Sequence, residues 1–278
     1  MRVIFTLLLL VVMVSIIHAE FLTENVDVTI KNINEDGSAQ VIESIKFIMY
    51  GNYSNSIYDS GISRNDLSFW STNTGLKDVK VHVNPAKVDI RDFRLRPQPR
   101  TKCNPIQGVC HGELILEYTA YPSYKDNDNK QPIVGTGIFN VQNYKPRTRR
   151  YTLNPASLAF TTTPEGNIIL DSNVYLTVKL PEGSTALDIN PQPQGTAIAL
   201  PAAVSSISWN DIVLVKFSLI FDVEDSIEKE VGGFFGGIVN DAANLLRTGE
   251  GVALLLLVAI IFGSYLYITI NKRRNEDV

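Results

Sequence analysis

The chain has 278 residues, 45% of them hydrophobic and 19% charged, with a formal net charge of −4 and two cysteines. Its mean hydropathy of +0.04 is high for a soluble domain, and the apolar excess sits at the two ends, Met1–Ala19 and Gly251–Ile270. That distribution argues against a cytosolic enzyme, a coiled coil, a disordered chain and a multi-spanning transporter, which needs several internal spans.

Residues 1–19 read as a secretory signal. Arg2 supplies the positive end, Val3–Ile17 the apolar run, and Ala19 the small residue before the cleavage point. Ile17 departs from the small-x-small preference, which leaves an uncleaved anchor as the alternative. From Glu20 to Glu224 the pattern is that of strands. Val26-Asp27-Val28-Thr29-Ile30 alternates with period two, Asp36-Gly37 is a strong hairpin signal, and residues 40–49 form the returning strand.

Val28-Thr29-Ile30 together with Glu35-Asp36-Gly37-Ser38-Ala39-Gln40-Val41-Ile42-Glu43 resembles the start of extracytoplasmic β-domains in uncharacterised prokaryotic, often archaeal, membrane-anchored proteins. The resemblance implies a signal, a β-rich ectodomain and a C-terminal transmembrane helix, and it implies no catalytic residues.

Further along, Asn52-Tyr53-Ser54 is a glycosylation sequon in a polar loop. Val79-Lys80-Val81-His82-Val83 reads as another strand, with His82 facing solvent. Residues 91–102 form a basic island of net +4, with Arg91, Arg94, Arg96, Arg100 and Lys102 against Asp92. Cys103 and Cys110 then enclose a short Pro/Gly turn. An even cysteine count in an exported region favours a disulfide; free thiols, or a metal site shared with His111, are the other readings. Strands are expected at 113–121, 133–142, 147–153, 174–180 and 212–223. The polar run 121–132 is the place for a boundary if the region holds two β-domains. A second basic island at 145–150 carries Lys145, Arg147, Arg149 and Arg150, again net +4, which leaves the remaining ectodomain strongly acidic.

After residue 224 the period changes. Ile227, Val231, Phe234, Phe235, Ile238, Val239, Ala242, Leu245 and Leu246 recur at three- and four-residue spacing, so an amphipathic juxtamembrane helix is expected over 225–248, lying on the bilayer or a partner. Val252–Ile270 gives nineteen uncharged residues, roughly 28 Å of helix and enough to cross a bilayer. Lys272, Arg273 and Arg274 place the 272–278 tail in the cytoplasm by the positive-inside rule.

The expected fold is therefore mainly β: a β-sandwich-like ectodomain over 20–224 (one elaborated or two tandem), then the amphipathic helix and one transmembrane helix over 251–271. No nucleophile elbow, zinc-protease motif, P-loop or dinucleotide fingerprint is present. The expected function is a non-catalytic, single-pass plasma-membrane protein whose ectodomain contacts a protein partner outside the cell, with no cofactor. A binding module for anionic glycans or lipid headgroups, through Arg91, Arg94, Arg96, Arg100, Arg147, Arg149 and Arg150, is the alternative. An extracytoplasmic hydrolase is a third reading. Nucleic acid is not an expected partner, given the acidic remainder.

Overall fold

A computed structural model describes residues 19–124, 133, 135–195 and 197–224. The expected signal, the 125–132 part of the polar connection, the amphipathic helix, the transmembrane span and the tail lie outside the described residues. Among the described residues no helix is long and apolar enough to cross a membrane.

The described region is mainly β and forms two sheets. The first is built on β1 (Glu20–Lys31), β2 (Ala39–Tyr50), β3 (Asp89–Pro97), β5 (Val109–Tyr121), β9 (Ile168–Lys179) and β12 (Ser206–Leu214), in the order β12-β9-β1-β2-β5-β3. Short strands β4 (Thr101–Asn104) and β8 (Thr161–Thr162) pair with β5 and β9. The second sheet runs β11-β10-β13-β7-β6, from β6 (Phe139–Lys145), β7 (Thr148–Leu153), β10 (Ser184–Asn190), β11 (Ala202–Ala203) and β13 (Ser218–Glu224). Neighbours are antiparallel except β1 and β9, whose parallel pairing joins late sequence to the opening hairpin.

Alternation explains the central strands. On β2 the buried row is Ala39, Val41, Glu43, Ile45, Phe47 and Met49, and on β5 it is Cys110, Gly112, Leu114, Leu116, Tyr118 and Ala120. The intervening side chains face outward, as a half-buried sheet requires. Buried side chains of both sheets join in one apolar core, in which Tyr151 of β7 stacks on Phe221 of β13 at 4.9 Å. The hairpin expected at Asp36-Gly37 is present. Gly37 has φ +83°, and a Cβ there would lie 2.3 Å from the Phe139 carbonyl oxygen. Only glycine fits both demands.

Two short helices, α1 (Gly51–Gly61) and α2 (Leu67–Thr74), stand where no helix was expected. The buried face of α1 is Ser54, Asn55, Tyr58 and Gly61, so there is no apolar stripe for periodicity to detect. A chain of edge-on aromatic contacts, Phe21–Phe47–Tyr58–Trp70, fixes the helices to the sheet. Asn52 is thus exposed in the first turn of α1 rather than in a loop.

Other expectations need correction. Residues 79–83 form bends with one isolated bridge, Val83 to Leu158. The valines alternate because Val79 and Val83 reach the core from an irregular segment crossing the sheet. The single strand expected at 212–223 is two, β12 and β13, turning at Lys216 with φ +51°. Exposed Val213 and Val215 disguised that turn as a continuous apolar run. The strand expected at 133–142 is shifted to 139–145.

Candidate functional site

Sequence singled out two histidines, two basic islands, a cysteine pair and a sequon, and the fold places each of them. His82 is not on the surface. It is 3% exposed, and it meets Glu43, which is 0% exposed and the lone carboxylate in the inner row of β2. Glu43 Oε1 accepts from the backbone N–H of His82 at 2.8 Å and from the Tyr118 hydroxyl, while His82 Nδ1 donates to Oε2 at 2.7 Å. The ring of Phe160 packs against His82, and Phe93 stacks on Tyr118. Burial, then the charge of Glu43 and its hydrogen bond, push the Tyr118 phenol well above its ordinary value. A buried carboxylate is costly unless its oxygens are bonded, and here both are. The group ties the segment between α2 and β3 onto the sheet. Neither Glu43 nor Tyr118 stood out in the sequence. A single Glu among the apolar positions of a strand was the available signal.

The arginines lie on different sheets, and most face carboxylates. Arg91, Arg94 and Arg96 are on β3, an edge strand of the first sheet, and Arg147, Arg149 and Arg150 are on or beside β7 of the second. Arg91 holds Asp89 at 2.6 Å, Arg96 holds Glu117 at 2.7 Å, and Arg149 holds Glu35 at 2.5 Å. Arg150 grips Asp222 with two bonds of 2.8 and 2.9 Å. Arg100 reaches Asp59 of α1 at 2.8 Å. Arg94 is exposed and sits opposite Glu117 in the register. Pairing of this kind neutralises much of the islands' charge; the exposed pairs of Arg91 and Arg96 contribute little to stability, whereas Arg149 and the Arg150–Asp222 pair are partly buried.

The cysteines are joined, Cys103 to Cys110. The bond clamps the β4–β5 hairpin, whose tip is Pro105-Ile106-Gln107-Gly108. The Asn104 carboxamide oxygen accepts from the backbone N–H groups of Ile106 and Gln107 at 3.0 and 3.3 Å. The Gly108 carbonyl accepts from Gly51 N–H and from the Asn55 side chain, both at 3.0 Å. Ile106 is 95% exposed, beyond Leu22 at 55% and Tyr53 at 51%. His111, next to the disulfide, pairs with Glu24 at 2.8 Å, and no metal-binding group of three ligands occurs among the described residues.

A cleft of about 580 Å³ lies beside edge strand β6, between Phe139, Val141 and Gln142 on one side and Glu35 and Asp36 of the β1–β2 turn on the other. Asp36 accepts from the Tyr124 hydroxyl at 2.9 Å. Burial, the bond to Asp36 and the charge of Asp36 push Tyr124 up to about 12.

No family model and no curated protein matches the chain. Among solved structures it is similar to native leukotriene A4 hydrolase from Saccharomyces cerevisiae, at 9% identity and a TM-score of 0.30, covering 74% of this chain and 29% of that one. The yeast enzyme in complex with bestatin aligns at 10% identity and a TM-score of 0.26, again over 74% of this chain and 29% of that one. The chain thus spans less than a third of those proteins, and likenesses at such TM-scores assign neither fold nor activity.

Proposed function

We propose that this is a non-catalytic, single-pass protein of the cell envelope, anchored by the apolar segment 251–271, whose β-sandwich-like ectodomain makes contacts with a partner protein outside the membrane. The observation that carries this reading is the disulfide-clamped hairpin at Cys103–Cys110 with an apolar side chain at its tip. Such a bond persists in an oxidising compartment, in keeping with the signal-like N-terminus and with a C-terminal anchor oriented by Lys272, Arg273 and Arg274. An exposed, pre-ordered apolar tip is a feature of contact surfaces, where rigid anchors supply most of the binding energy. The anionic-ligand alternative has less behind it, because five of its seven arginines hold carboxylates. The test is reversible cross-linking in intact cells, followed by purification of the full chain from detergent-solubilised membranes. A reproducible, stoichiometric partner is expected. Recovery of the chain alone across cross-linkers of different reach counts against the reading.

A further inference from the structure

We propose that the Cys103–Cys110 loop is a preformed knob, and that Ile106 enters an apolar pocket with an acidic rim on the partner protein. The inference rests on the protein-contact reading above and names the surface that makes the contact. Ile106 is 95% exposed on a loop that is otherwise thoroughly tied down. The disulfide closes its base, the Asn104 side chain holds two of its N–H groups, and Gly51 and Asn55 of α1 hold the Gly108 carbonyl. A branched apolar side chain held in water on such a scaffold gains nothing within its own fold. Docking would bury it without the ordering cost that a mobile loop incurs. Tyr53, half exposed, stands two residues from Gly51, where α1 meets the loop, and adds an amphipathic neighbour.

Charge indicates the kind of pocket. From Thr101 to Val109 the only charged residue is Lys102, which is exposed and has no carboxylate partner among the described residues. Arg100, just behind it, is already held by Asp59. An acidic rim would complement Lys102, fix orientation and speed encounter. A bilayer is the less favoured occupant. One isoleucine and one tyrosine bury less than a single acyl chain, which by itself gives only marginal membrane binding.

The experiment places a photoreactive benzoyl-phenylalanine at Gln107 beside the tip, and separately at Gln142 on β6, in the full chain in its own membranes. A protein adduct from position 107 is expected. It should fall about 10- to 100-fold with Ile106→Asp, fall with Lys102→Glu, and survive Ile106→Val and Lys102→Arg. The midpoint of thermal unfolding should be unchanged in Ile106→Asp, which excludes unfolding as the cause of the loss. An adduct indifferent to Ile106→Asp overturns the knob, and so does an adduct with lipid alone. Protein adducts from 142 but not 107 overturn the knob while leaving the protein-contact reading intact. No protein adduct from either position overturns both.

Discussion

Tyr118→Phe is the sharpest probe of the buried network. It removes one hydroxyl from a residue that is otherwise fully enclosed and keeps the ring that stacks on Phe93. Glu43 Oε1 then retains only the N–H of His82. A hydrogen bond to a charged group contributes about 1.5–3 kcal/mol net, and the carboxylate oxygen, left with one donor, is too buried to recruit water in its place. With a urea m-value of roughly 2–3 kcal/mol/M for a domain this size, the midpoint should drop by about 0.5–1.5 M at pH 7. Fluorescence of Trp70 and Trp209, both fully buried, reports the transition in the detergent-solubilised full chain. The pH dependence has a definite sign. The folded-state pKa of Tyr118 is raised above its ordinary 10.0, so the native state holds the proton longer than the unfolded chain. The stability linked to Tyr118 is fully present below pH 10 and is lost as pH rises towards the folded-state pKa. The gap between the wild type and Tyr118→Phe should therefore narrow above pH 10. A cost below about 0.5 kcal/mol, or an unchanged cost in a Glu43→Gln background, would refute the coupling.

Four further outcomes are expected. Gly37→Ala should destabilise by more than about 2 kcal/mol, because left-handed backbone strain adds to a clash with the Phe139 carbonyl; urea unfolding checks it. Cys103→Ser/Cys110→Ser should cost about 2.5 kcal/mol by loop-closure entropy, and dithiothreitol should lower the wild-type unfolding free energy by the same amount. Because most arginines of the basic islands hold carboxylates, the protein should pass through a heparin column at physiological ionic strength, and retention there would restore the anionic-ligand reading. A glycan on Asn52 should abolish the position-107 adduct and Asn52→Gln should restore it, since the Asn52 carboxamide oxygen lies 3.9 Å from where a Cβ on Gly108 would sit.

The strand content was legible because β1, β2, β5 and β9 alternate with one face in the core. The disulfide was legible from the cysteine spacing and the expected export of the region. What escaped was whatever did not express itself as a hydrophobic period. Helix α1 buries serine, asparagine, tyrosine and glycine, and α2 buries only Trp70 and Thr74, so neither shows a leucine stripe, although Asp66 accepting from the Ser68 N–H and left-handed Gly75 mark the two ends of α2. Alternation with valines is ambiguous for His82: an irregular segment lying across a sheet can bury two adjacent residues together, here His82 and Val83. Its partner Glu43 is 39 residues away, and only pairing in space shows that a buried acid has its base. Ile106 drew no attention because one apolar residue between Pro105 and Gly108 is unremarkable until its exposure is known.

These features share one pair of strands. β2 and β5 pair without a bulge from Ala39↔Ala120 to Tyr50↔Val109, whereas β1–β2, β3–β5 and β9–β12 all shift register. A slip by one residue would turn the whole inner row of β2 to the other face. Glu43 would lose Tyr118 and His82, and the next apolar row would have no acid to satisfy the Tyr118 hydroxyl. An all-apolar row would tolerate a two-residue slip far better than a row with one carboxylate, whose donors occupy a single position. The network thus fixes the register as well as the segment that carries His82, which is the best-attested use of a buried polar group. The same register sets Cys110 opposite Met49 at the far end of the pair, and through Cys110 it sets the height and direction of the loop that carries Ile106. A loop seated on an unbulged strand pair and closed by a covalent bond is held in one conformation, which is what the proposed knob would require in order to bind.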